Sequence, residues 1–144
     1  MNSLTLPIAN HKADLKALQT AISAIPDDQF LILQQLAQLD VVGAAVHSHF
    51  KLSRAEQTRR VIRAMENPNV DIIFHLTGRM IPRRPPIELD IDEVIATAKR
   101  TGTVLEINAF PDRADIRDEY VRKCVAAGVK MSIDSDAHAT KHFQ

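Results

Sequence analysis

The sequence predicts an α/β fold in which about four parallel strands alternate with helices, and three observations support this. Short apolar runs rich in valine, isoleucine and alanine recur along the chain. Segments of helical periodicity, several with cap signals, separate those runs. Each run ends in residues suited to binding a metal or a phosphate. Strand and helix alternate with connections long enough for right-handed parallel crossovers, so the strand C-termini should share one edge of a sheet.

Taken in order, residues 1–9 read as a loose terminus. Asn10 can cap a helix carrying Ala13, Leu15, Leu18, Ala21 and Ile22, which Pro26 ends, and a second helix is expected from Asp27 to Gln38. The run VVGAAV from Val41 is a buried strand leading into His47 and His49. Ser53-Arg54-Ala55-Glu56 has the form of a capping box, which predicts a helix to about Glu66, where Asn67-Pro68 stops it. A strand from Val70 to Phe74 delivers His75. The connection Leu76 to Leu89 is stiffened by Pro82, Pro85 and Pro86 and carries Arg79, Arg83 and Arg84. Asp90 with Glu93 signals another helix start, the stripe Ile91, Val94, Ile95, Ala98 follows, and Gly102 closes it. The strand Thr103 to Ile107 leads to Asn108. A further helix is expected to start at Asp115 and end at Gly128, and the strand Val129 to Ile133 delivers Asp134, Asp136 and His138. Four such units cannot close an eight-stranded barrel, which leaves an open sheet or part of a barrel.

Composition narrows the function classes. With 144 residues the chain accommodates one domain with a core. Lysine and arginine (18) balance aspartate and glutamate (18), so any polyanion recognition must be local. The single cysteine, Cys124, excludes an internal disulfide and fits a reducing cytoplasm. No apolar run approaches the length of a membrane span, and no signal peptide is read at the start.

The strand ends carry the chemistry. Neutral imidazoles and carboxylates are the ligands of zinc, iron and manganese, and hydrolytic sites use such ions to activate water and neutralise phosphate. His47, His75, Asp136 and His138 each lie at or just past a strand end and are the candidate ligands. His49 reads as ligand, substrate contact or solvated residue, and Glu106 as an inward carboxylate or a charge on the sheet face. Asn108 is placed to orient a ligand or a phosphate, and Asp134 to support the ligands as a neighbouring carboxylate or, the favoured reading, to cap the final turn. Cys124 belongs to an apolar helix stripe, while His11 and His142 read as surface residues. Ser48 has no glycine-framed nucleophile elbow, and no phosphate-loop glycine pattern occurs.

Four stretches, VVGAAVHSHF, ENPNVDIIFHLTGR, GTVLEINAFP and GVKMSIDSDAH, stand in the order and spacing of the polymerase and histidinol phosphatase (PHP) domain. The chain resembles most closely the version at the C-terminus of bacterial family X DNA polymerases, over roughly residues 27–140. The resemblance implies a distorted (βα)7 barrel, present here in part, with a trinuclear centre of manganese or zinc, iron being a further option. It also implies hydrolysis of phosphoesters, in the polymerase-linked versions a 3′-5′ exonuclease acting on DNA 3′ ends in repair. Carried over by residue, His47 and His75 would hold one metal, Asp136 and His138 would each serve another, Arg79 would contact phosphate, and His49 would lie near substrate.

The family's HxH strand, a further Asp and His, and a bridging Glu have no counterparts upstream of His47. Phe74 and Leu76 replace the Gly and Pro that usually flank the second histidine. The expectation is therefore a fragment, truncated on its N-terminal side and lacking the last barrel elements, with residues 1–26 of unassigned origin and 27–144 the C-terminal part of a PHP domain. Two alternatives stay open: an inactive remnant that self-associates through open strand edges or associates with DNA, and a small-molecule phosphatase of the histidinol-phosphate kind.

Overall fold

The computed structural model describes residues 36–143. The chain divides into two units, Met1–Leu39 and Asp40–Gln144. The two helices expected before Gln38 lie almost wholly outside the described residues. The second unit contains strands β1 (Gly43–Ala45), β2 (Ile72–Phe74), β3 (Val104–Asn108) and β4 (Met131–Asp134). Between them run helices α1 (Arg54–Met65), α2 (Ile91–Thr101) and α3 (Asp118–Ala127), and a 3-10 turn, Thr140–Phe143, follows β4.

All strand pairs are parallel, in the spatial order β1-β2-β3-β4. An order without reversal contains no switch point of the doubly wound kind; it is the succession found in the wall of a βα barrel. Crossovers of one hand then place successive helices side by side, and α1 packs on α2 and α2 on α3.

Local chemistry accounts for the helix ends. Ser53 forms the expected capping box with Glu56, whose carboxylate accepts from the Ser53 amide at 3.0 Å, while Asp90 caps α2 by accepting from the Glu93 amide at 3.2 Å. Gly102 closes α2 with φ of 80°, a conformation that costs glycine little, and its amide donates to the Ala98 carbonyl at 2.9 Å. The expected start of α3 is corrected. The helix begins at Asp118 with Arg117 as an N-cap that offers no side-chain bond, because the Asp115 carboxylate is used elsewhere.

Strand register sorts the side chains onto two faces. Ala44, Ile73, Leu105 and Met131 are register partners in one row, and this row joins Val61, Met65, Val94, Ile95, Ala98 and Cys124 of the helices in the core. Alternation puts Gly43, Ala45, Ile72, Phe74, Val104, Glu106, Ser132 and Asp134 on the opposite face, which the three helices leave uncovered. That face, at its C-terminal end, holds the candidate site.

Candidate active site

The chain past β1 runs through buried Val46 to His47, β2 leads directly into His75, and β4 into Asp134-Ser135-Asp136-Ala137-His138. The sheet therefore brings His47, His75, Asp136 and His138 to one cavity of about 560 Å³, whose lining also includes Phe74, Glu106 and Asp134. Gly43 makes room for this arrangement. A Cβ there would lie 1.8 Å from the Phe74 ring, which fills the space over the first strand.

His75 is the buried member, 5% exposed. Its amide donates to the Glu106 carboxylate, and the other oxygen of that carboxylate accepts from Asn108 Nδ2 at 3.2 Å. Burial lowers the His75 pKa to about 4, and the nearby Arg113 charge adds to this, so the imidazole is neutral at pH 7. Its Nδ1 is buried and has no hydrogen-bond partner. The His47 ring meets it edge to face, with centroids 5.2 Å apart. Burial also raises the Glu106 pKa.

Asp136 is held by a mostly buried ion pair, Arg113 Nε donating to its Oδ2 at 2.7 Å. Burial alone would raise the Asp136 pKa; the bonds from Arg113 and Asn108 outweigh it and lower the value. His138 is exposed, its Nδ1 lies 2.6 Å from the Asp136 carbonyl, and its amide donates to His142 Nδ1 at 3.1 Å. Of the four non-glycine residues with positive φ among the described residues, three are His49 (55°), His75 (30°) and Asp136 (52°). Side chains tolerate this region poorly, and it recurs where geometry is set by a site.

Three of the expected site residues lie outside the lining of the cavity. His49 is exposed, and its carbonyl accepts from Gln57 Nε2 at 2.6 Å. Arg79 donates through Nε to the Arg113 carbonyl at 2.9 Å and through Nη2 to the Ala114 carbonyl. Asn108 is fully buried between Glu106 and the Phe110 amide, which donates to its Oδ1 at 3.1 Å. The other loop arginines are also bound to the protein: Arg84 donates to the Gly78 carbonyl and stacks on Phe50, and Arg83 pairs with Asp112. One lesser expectation is corrected: Asp134 caps no turn but lines the cavity and accepts from Ser132 Oγ at 2.8 Å. His142 is exposed, as expected, and touches His138 and the Phe110 ring.

Sequence reasoning passed over Arg113 and read Asp115 only as a helix start. Asp115, 1% exposed, accepts from the Thr77 amide (3.0 Å), the Thr77 hydroxyl (2.8 Å) and the Arg79 amide (3.3 Å), tying the loop after β3 to the loop after β2. Arg113 then reaches Asp136. Neither lies in a periodic segment, and no spacing rule marks a loop residue whose partner is far along the chain.

The donors suit a divalent ion in type: the neutral His75 imidazole in contact with the His47 ring, an unpartnered buried ring nitrogen and an ionised carboxylate. Among the described residues, no group of three or more His, Cys, Asp or Glu comes together closely enough to hold one.

No family model matches the chain. It is similar to the DNA polymerase/3′-5′ exonuclease PolX of Bacillus subtilis, with 45% identity over 103 residues, 72% of this chain and 18% of that protein. A probable phosphatase of Acetivibrio thermocellus is 33% identical over 112 residues, covering 73% of this chain and 44% of that protein. A probable phosphatase of Thermoanaerobacter sp. gives 34% over 114 residues, with the same shares. This chain is homologous to part of each of these PHP-family proteins. The PHP relationship agrees with the fold, since parallel strands in barrel-like succession carry the cavity at their C-terminal ends. The chain spans about a fifth of the polymerase/exonuclease and under half of each phosphatase.

Proposed function

We propose that this chain carries part of the centre of a metal-dependent phosphoesterase that processes DNA 3′ ends. The observation that carries the reading is that His47, His75, Asp136 and His138, from three separate βα units, line one cavity. The similarity to a polymerase/3′-5′ exonuclease directs it toward DNA. His47 and His75 would hold one ion, and Asp136 and His138 would each serve another. Manganese or zinc, with iron as a further option, would supply charge neutralisation and an activated water when bound. Glu106 and Asn108 fix the backbone at His75, and Arg113 fixes Asp136. Arg79, Asn108 and His49, which lie outside the cavity lining, would be the groups that meet phosphate and substrate. The setting is cytoplasmic, in keeping with one buried free thiol, and no described helix is long and apolar enough to cross a membrane.

The test is metal analysis of the purified chain together with manganese-dependent hydrolysis of a 3′-labelled DNA strand. Metal uptake with turnover that is lost in H75A and D136N is the expected result. Absence of both metal and turnover at high protein concentration overturns the catalytic reading for this chain. The similarity to probable phosphatases favours a second reading, hydrolysis of small phosphomonoesters. Turnover of such esters without turnover of DNA would select it.

A further inference from the structure

The outer face of α1 carries a feature that the cavity does not use. Arg59, Arg60 and Arg63, with Leu52, Glu56 and Ala64, line an open groove of about 600 Å³. Three arginines at these positions share one helix face, and Arg59 and Arg63, one turn apart, are exposed. The chain as a whole is neutral, so this is a local concentration of positive charge. Its one carboxylate is already committed: Glu56 accepts from the Ser53 amide at 3.0 Å and from the Ser53 hydroxyl in the capping box. Among the described residues, other basic side chains of the unit pair with acidic ones, such as Arg54 with Asp90 and Arg100 with Glu66. Among the described residues, no such ion pair engages Arg59, Arg60 or Arg63.

The groove also adjoins the candidate site. Arg60 donates to the Ser48 carbonyl at 2.7 Å through Nη1 and to the Ser48 hydroxyl at 3.1 Å through Nη2. Ser48 follows His47, which lines the cavity. A basic track therefore begins beside the strand ends and continues along α1. Arg59 and Arg63 are separated by about 6 Å of helix rise. Guanidinium groups in a groove whose apolar lining is only Leu52 and Ala64 suit a regularly spaced chain of phosphates better than the apolar core of a protein partner.

We infer that the Arg59/Arg63 face of α1 binds the phosphodiester backbone of a nucleic-acid strand and leads it toward the cavity. The direction rests on the DNA reading given above, whereas the binding itself does not. Arg60 is the positioning member, since its donors already go to Ser48, and Arg59 and Arg63 make the contact.

The experiment is fluorescence anisotropy of a labelled DNA single strand with the full chain in EDTA, between about 50 and 200 mM salt. Because EDTA removes metal, hydrolysis plays no part, and failure of the catalytic reading leaves this measurement intact. R59Q/R63Q should bind roughly tenfold more weakly at the lower salt concentration. Its log–log salt slope should be shallower by about 1.4, at about 0.7 per phosphate contact on a single strand. R117Q/R122Q removes the same charge from the α3 region, where Arg117 pairs with Glu119 and Arg122 with Asp118, and should bind like the unaltered chain. Circular dichroism of both double variants confirms that they fold. Equal binding by R59Q/R63Q and the unaltered chain, or equal loss in both double variants, overturns the inference. Displacement of the strand by poly-glutamate at matched charge overturns the nucleic-acid assignment.

Discussion

At the residue scale, His75 shows how position converts an ordinary side chain into a special one. It follows a strand only three residues long, has φ of 30°, and is buried against Glu106 and His47. Its folded pKa of about 4 lies below the ordinary 6.5, so between those values the folded protein binds fewer protons than the unfolded chain. The stability this contributes is complete above about pH 6.5 and is lost as pH falls toward 4. Urea unfolding of the metal-free chain should show this loss, and H75Q should show a shallower pH dependence over the same window. Identical slopes for the two proteins would refute a depressed histidine. A histidine after an apolar run was legible in the sequence. Its burial was not, because that depends on Glu106 from the neighbouring strand.

At the scale of elements, helices and strands were readable and loop architecture was not. The capping box at Ser53 and the caps at Asp90 and Gly102 lie where their local patterns place them, since caps depend on residues a few positions apart. Asp115 was expected to start a helix but serves as a clamp across 38 positions of sequence, to Thr77. Removing the carboxylate in D115A would leave two amides and a hydroxyl without acceptors in a buried setting. We expect a loss of roughly 2–4 kcal/mol in urea unfolding, because the groups left behind keep their desolvation cost. A change below about 0.5 kcal/mol would show that the two loops do not depend on the clamp.

On the scale of the whole molecule, the described residues form one core between the sheet and its helices, and Cys124 is fully buried in it. Burial raises the thiol pKa, which disfavours the reactive thiolate. Alkylation of Cys124 should therefore be slow in the native state. It should accelerate with urea in parallel with the loss of ellipticity at 222 nm, reporting opening of the sheet and helix layer. Rapid labelling without denaturant would show that α3 detaches on its own. None of the three helices α1, α2 and α3 lies on the opposite face of the sheet; there the cavity opens beside Phe74, Glu106 and the segment after β4.

The sequence alone determined the alternation of strand and helix, most helix ends, the family resemblance and the placing of His47, His75, Asp136 and His138 at strand ends. These features follow from periodicity, capping chemistry and local motif, all of which act over a few residues. Only the tertiary structure decided that Arg113 grips Asp136, that Asp115 joins two loops, that Glu106 faces inward beside His75, and that Arg79 is bonded to loop carbonyls. Those pairings join positions 23 to 38 residues apart. Such partners are chosen by sheet order and register, which bring distant loops to one edge, and no local pattern encodes them.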